Sequence, residues 1–202
     1  MTKLATVILV AGAARRFGSC KSLAPINDQA LIAFPLQAIS KINVDTYIYT
    51  GFWHDAIQQH VVKSNWQTNV IFAPCWDKGI GDVIALVTSQ LESDYDAILF
   101  MLADQPAVSG DNIELLLKVF DEHACDAVCC QYRDAVGVPA IAGKSMFEEL
   151  KRLHGDNGAK HLLNDGKHVV HIVDINQCYI DIDTPEDLEN YTHYLNNMSS
   201  LW

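Results

Sequence analysis

Three cations fall within seven positions in a chain that has few of them. Arg15, Arg16 and Lys21 lie in residues 9–25 (LVAGAARRFGSCKSLAP), while the whole chain of 202 residues holds 14 Lys+Arg against 25 Asp+Glu, a formal net charge of −11. The loop follows an apolar, β-branched run at 5–10 that reads as a buried strand. In an open α/β sheet, ligands bind beyond the carboxyl ends of the strands. A cationic loop of small residues there points to a phosphate-bearing ligand. Carboxylates occur in matching places. Asp104 directly follows the apolar run 97–102 (AILFML), in Asp104-Gln105-Pro106, and Asp181 and Asp183 precede Thr184-Pro185-Glu186-Asp187. Mg²⁺ uses one or two carboxylates together with substrate phosphates, and Asp104 at a strand end suits that role. Asp before Pro also caps turns, and Asp183 or Thr184 could simply start the last helix; these structural roles are compatible with metal binding.

Two well-known phosphate loops fail on spacing. A Walker A loop needs four residues between its glycines and then Gly-Lys-Ser/Thr; here five residues separate Gly12 from Gly18, and Ser19-Cys20 precede Lys21. The dinucleotide fingerprint needs glycine where Ala14 stands, which argues against a nicotinamide or flavin oxidoreductase.

Leu9-x-Ala11-Gly12-x-x-x-Arg16-x-Gly18-x-x-Lys21-x-Leu23-x-Pro25 resembles the first motif of the MobA-like nucleotidyltransferases, in particular those that cytidylate the molybdenum cofactor. Three further segments resemble that family in the same order: 74–81 (PCWDKGIG), Asp104-Gln105-Pro106, and the pair Gly137-Val138-Pro139 and 155–160 (GDNGAK). The resemblance implies transfer of CMP from CTP, or of another nucleotide from its triphosphate, to a molybdopterin-type phosphate, with release of pyrophosphate and with Mg²⁺ as cofactor. It implies catalytic roles for Arg16, Lys21 and Asp104. Nucleotide contacts are implied at Leu9, Ala11, Gly12, Arg16, Lys21, Pro74, Gly79 and Asp104. Metal ligation falls to Asp104 and Asp183, and acceptor contacts to Gly137, Pro139, Gly155, Asp156 and Gly158. Ala11, where related guanylyltransferases carry glycine, leans the choice toward CTP. An acceptor phosphate already carries its charge, so no general base is required, and the eight histidines show no ligand spacing. Transient contact with a molybdoenzyme or its chaperone is also implied.

The chain departs from the pattern in three places. Ala14 replaces serine and Phe17 replaces methionine. Gly81-Asp82-Val83-Ile84 replaces a serine-rich stretch, which removes hydroxyls near the expected nucleotide and adds an acid. Two rivals follow: the same scaffold using another triphosphate or a sugar phosphate, and a weakened enzyme that binds the cofactor and delivers it.

The elements that must position these residues follow from apolar periodicity. Strands are expected at 5–10, 44–50, 69–73, 97–102, 127–132, 169–173 and 179–182, with a short extended piece opening at Gly137. Helices are expected at 31–41, 53–63, 81–91, 110–124 and 144–153, and from Thr184 onward, where Thr184 is the N-cap and Pro185 the first helical residue. This alternation predicts an α/β fold with a doubly wound, mostly parallel sheet, as in the Rossmann-like nucleotidyltransferases. A single domain over 1–202 is expected, with a nucleotide-binding part at about 1–110 and an acceptor-side part at about 111–202. The negative charge argues against a nucleic-acid polymer as partner. Residues 4–14 could pass for a signal-peptide core, but cleavage would cut the motif apart. No run is long enough to span a membrane. The six cysteines lack C-x-x-C spacing, so reduced thiols and a cytoplasmic location are expected.

Overall fold

The computed structural model describes residues 2–132 and 135–199. Its centre is a seven-stranded sheet. The strands are β1 (Leu4–Val10), β4 (Asp45–Thr50), β5 (Asn69–Phe72), β6 (Ala97–Leu102), β7 (Ala127–Tyr132), β8 (Ala135–Gly143) and β9 (Val170–Asp174); β2 (Pro25–Ile26) and β3 (Gln29–Ala30) form a separate small ribbon. The order across the sheet is β5-β4-β1-β6-β8-β7-β9. Every pairing is parallel except the two made by β8, which runs against both β6 and β7. The chain is therefore the mostly parallel α/β sheet expected.

Both faces of the sheet are covered, so its central strands read as unbroken apolar runs. One face packs under α3 (Ile80–Leu91), α5 (Phe147–Leu150) and α6 (Lys160–Asn164), which contribute Val83, Val87, Phe147, Leu150 and Leu162. The other packs under α1 (Ala33–Ala38), α2 (His54–Lys63) and α4 (Gly110–Glu122), which contribute Ala38, Ile57, Val61, Ile113 and Leu116. The final helix, α7 (Pro185–Ser199), instead joins a small satellite cluster of Ile26, Leu31, Ile182 and Tyr191.

From β1 the sheet grows through β4 on one side and through β6 on the other. That reversal opens a crevice at the carboxyl ends of β1 and β6, where ligands of open α/β sheets bind. The register sets Leu9 opposite Leu102. Two residues further along each chain come Ala11, at the mouth of the cationic loop, and Asp104.

The structure changes four expectations. The extended piece opening at Gly137 is a nine-residue interior strand, β8. A proline inside a sheet argues against an interior strand; here Pro139 sits at a bulge, where the register with β7 jumps between Cys129 and Cys130. The expected strand at 179–182 is absent: Asn176–Tyr179 forms a 3₁₀ turn, and the chain then runs extended without joining the sheet. The helix expected at 144–153 breaks into a 3₁₀ turn, Lys144–Met146, and the single turn of α5. The helix expected at 31–41 shortens to α1, with Pro35 in its first turn.

Leu99 is wholly buried on β6. Leu99→Ala is expected to cost about 2–5 kcal/mol, measured as a lower urea midpoint at unchanged m-value.

Candidate active site

The cationic loop closes on itself. The amides of Phe17 and Gly18 both donate to the Ala14 carbonyl at 3.0 Å. Ala14 holds φ +51°, in the left-handed region that a side chain makes costly. Phe17 packs against the satellite cluster of Ile26, Leu31 and Ile182, so the aromatic ring anchors the loop to the ground on which α7 docks. Trp53, just past the end of β4, donates its indole N–H to the Ala13 carbonyl at 3.1 Å.

Asp183 reaches the same place by two devices. The Ile182 amide donates to the Asp104 carbonyl at 2.9 Å, which lays the two acidic segments side by side. The start of α7 then fixes the backbone at 183: the Asp187 carboxylate accepts from the amides of Asp183 and Thr184 at 3.1 and 2.8 Å, while the Asp187 amide donates to Thr184 Oγ1 at 3.2 Å. Thr184 is thus the N-cap, with an acid answering three residues on.

These tethers bring four charges together. Lys21 Nζ donates to Asp104 Oδ2 at 2.7 Å and to Asp183 Oδ1 at 3.2 Å, and Arg16 Nη2 lies 3.0 Å from Asp183 Oδ2. The Lys21 side chain is 16% exposed and that of Arg16 is 74% exposed, so lysine forms the inner link and arginine the outer. Asp104 Oδ1 is buried and has no hydrogen-bond partner. Among the described residues no cluster of three or more His, Cys, Asp and Glu side chains could cage a metal. An orphaned carboxylate oxygen beside a second acid fits a Mg²⁺ that takes its remaining ligands from phosphates and water.

Two cavities of about 580 Å³ each meet at this cluster. The first runs along the loop from Leu9 through Ala11, Gly12, Arg16 and Lys21 to Trp53, Trp76, Gly79 and Asp156. The second is walled by Ile84, Phe100, Val136, Met146 and Leu163, with Gln105, Lys160, Tyr179 and Asp181 as polar groups. Leu9, Ile80, Leu102, Asp104 and Asp183 line both. Asp181 is open to solvent on one side; packing on its other side, then the charge of Asp104, raise its carboxyl above the usual range. Cys20, between the loop and Lys21, has its thiol pushed up by burial, which disfavours a thiolate nucleophile.

The sequence-derived residues distribute as follows. Leu9, Ala11, Gly12, Arg16, Lys21, Gly79, Asp104 and Asp183 gather around the first cavity. Pro74 is exposed and lines neither cavity. Gly137 and Gly158 line the second cavity, whereas Pro139 is buried in the bulge between lining residues. Asp156, expected on the acceptor side, lines the first cavity, and Gly155 lines neither but bonds to the start of α3. Asp82, expected as an acid near the nucleotide, also turns to Gly155. Trp53 and Trp76 are not among the residues expected at the site; Trp53 is signalled only by its nearness to the end of β4, and Trp76 by its place in segment 74–81.

Fold and crevice together define a nucleotidyltransferase of the Rossmann-like class. Residues 6–171 match the MobA-like NTP transferase domain, and the chain belongs to that family. It is 26% identical to the purine catabolism protein PucB of Bacillus subtilis over 198 residues, 91% of this chain and 93% of that protein. Rv0371c of Mycobacterium tuberculosis superposes with TM-score 0.80 at 25% identity, over 95% of this chain and 99% of that one; its complex with manganese gives 0.78. The molybdopterin-guanine dinucleotide biosynthesis protein A of Archaeoglobus fulgidus shares the fold, with TM-score 0.70 and 20% identity over 96% and 99% of the chains.

The bonds from Thr184 first, then those from the backbone, hold the Asp187 carboxyl below the usual carboxylate range. A depressed folded pKa gives stability that is present above the unfolded value near 3.9 and lost as pH falls through the folded one. The protection factors of the Asp183 and Thr184 amides, taken against intrinsic exchange at each pH, are therefore expected to fall below about pH 4 in wild type, and to be already low at pH 6 in Asp187→Ala.

Proposed function

We propose that this chain is a cytoplasmic, Mg²⁺-dependent cytidylyltransferase that transfers CMP from CTP to the terminal phosphate of a molybdopterin-type acceptor. The observation that carries this reading is the junction of two cavities, one cationic and one largely apolar, at the paired acids Asp104 and Asp183. Transfer between two bound molecules needs such a shared wall, because the reacting atoms must meet in line.

In this reading the first cavity takes the triphosphate. Arg16 can grip a phosphate with two parallel N–H donors, and Lys21 serves as a point charge. Asp104 and Asp183 would hold Mg²⁺, which polarises the phosphates and offsets charge on the leaving group. In the cluster each acid is paired with a cation. With a metal between the acids, Arg16 and Lys21 would be free to face phosphate oxygens, so every charge would keep an opposite partner. Leu9, Ala11, Gly12 and Gly79 shape the nucleotide side, with Trp53 and Trp76 as walls; Asp156 belongs with this group by position. On the acceptor side, Gly137 and Gly158 shape the cavity, Pro139 sets the bulge, and Gly155 holds the neighbouring loop. The apolar walls suit the faces of a flat ring, and Gln105, Lys160 and Tyr179 suit its polar edge. The acceptor phosphate attacks the α-phosphorus; the new P–O bond forms as the bond to the β-phosphate oxygen breaks, and pyrophosphate leaves with its charge facing Arg16 and Lys21. No proton need be removed from an ionised acceptor.

The test is pyrophosphate release across CTP, GTP and ATP, each with a molybdopterin-type acceptor or a sugar phosphate. Multiple turnovers with CTP and the pterin support the reading. Release only with a sugar phosphate, or a single turnover at most, overturns it. Asp104→Asn is expected to lower kcat on the order of 10²–10³-fold, the scale of one preorganised electrostatic contact. Lys21→Met is expected to weaken CTP binding roughly tenfold or more by calorimetry, a charge-assisted contact being worth about 1.5–3 kcal/mol. The same change, by freeing Asp104 and one oxygen of Asp183, should tighten binding of Mn²⁺ alone, read by electron paramagnetic resonance.

A further inference from the structure

Gly155 is gripped from both ends by two consecutive residues. The Gly81 amide donates to the Gly155 carbonyl at 2.8 Å, and the Gly155 amide donates to Asp82 Oδ2 at 2.7 Å. Asp82 lies in the first turn of α3, where a carboxylate is favoured by the helix dipole. It uses that position to reach another loop rather than to cap its own helix, since Gly79 at the N-cap receives no side-chain bond.

The contact is possible only because two glycines stand beside it. A Cβ on Gly79 would lie 2.3 Å from the Gly155 carbonyl, and one on Gly81 would lie 2.6 Å from the Asn157 carbonyl oxygen and 2.8 Å from the His154 amide nitrogen. Gly79 also holds φ +124° and Gly155 φ +62°, conformations that favour glycine. Backbone therefore packs on backbone, and the Asp82 carboxylate closes the remaining amide.

The loop so held touches both cavities. Asp156 lines the cationic one, while Gly158, Ala159 and Lys160 line the apolar one. Ile80, next to the tie, lines both.

We propose that Asp82 is a positioning residue that ties the nucleotide-side segment 79–82 to the loop 155–160, so that occupation of one cavity sets the wall of the other. This inference rests on the proposed function for what fills the cavities, but the tie itself is a property of the free chain.

The experiment follows amide exchange in the full-length chain, with and without CTP–Mg²⁺, for wild type, Asp82→Ala and Asp82→Asn. In Asp82→Ala without ligand, exchange at Gly155 should rise about tenfold, while Ile98 in the sheet stays unchanged. CTP–Mg²⁺ should slow exchange at both 12–18 and 158–160 in wild type, and only at 12–18 in Asp82→Ala. Asp82→Asn keeps an accepting oxygen and should stay within about threefold of wild type. The proposal is overturned if Gly155 is indifferent to Asp82→Ala, if Ile98 loosens equally, or if Asp82→Asn behaves like Asp82→Ala. A wild-type chain in which CTP, GTP and ATP with Mg²⁺ protect no amide defeats the proposed function instead, and ligand-free exchange at Gly155 in the three proteins then decides the tie.

Discussion

An ammonium shared between two carboxylates organises this molecule. Lys21 lies near the amino end, and its partners Asp104 and Asp183 lie 83 and 162 positions further along. Like charges this close repel, and the cation between them removes that cost. The two acids are thereby held close together, half sheltered from water, where the two cavities meet. The rest of the fold serves this arrangement. β1 and β6 run side by side so that their ends coincide, and α7 starts where it does so that residue 183 is fixed.

The chain's departures from its family's pattern become intelligible from the same centre. Phe17 exchanges one apolar anchor for a larger one and packs on the cluster beneath α7. Through that cluster the cationic loop and the helix that follows Asp183 share a foundation, so loop and acid are positioned together. Ala14 accepts a left-handed backbone without the side-chain bond that a serine could offer. Strain at such a point persists only where the surroundings over-determine it; here the two amides converging on the Ala14 carbonyl and the Trp53 indole on the next carbonyl back supply that restraint. The region around Gly81 and Asp82 trades hydroxyls for a contact between loops.

Much of the site was legible in residue order because it obeys local rules. An apolar β-branched run followed by small and cationic residues marks a strand end that can face phosphate. Asp-Gln-Pro after a second such run marks its neighbour, and Thr-Pro-Glu-Asp announces a helix start. The less regular half was harder to read. Pro139 hid an interior strand, because a residue without an N–H is tolerated there only by a bulge, and a bulge is decided by the strand alongside. Residues 179–182 alternate like a strand but do not join the sheet, which ends at β9. Asp82 reads as a nucleotide-side acid until Gly155, 73 positions away, is seen to present its amide.

The sequence alone determined the class of fold, the cationic loop and the cap at Thr184, while the choice of Asp104 and Asp183 came from the resemblance to a family. The first three depend on periodicity, composition or a bond reaching no more than a few residues. The tertiary structure decided which groups share a surface: that Lys21 bridges both acids, that two cavities meet there, and that Asp156 faces one while Gly158 faces the other. Those facts depend on distances between segments remote in sequence. Such distances arise only when the sheet order is set and both faces have been buried, and no local pattern encodes them.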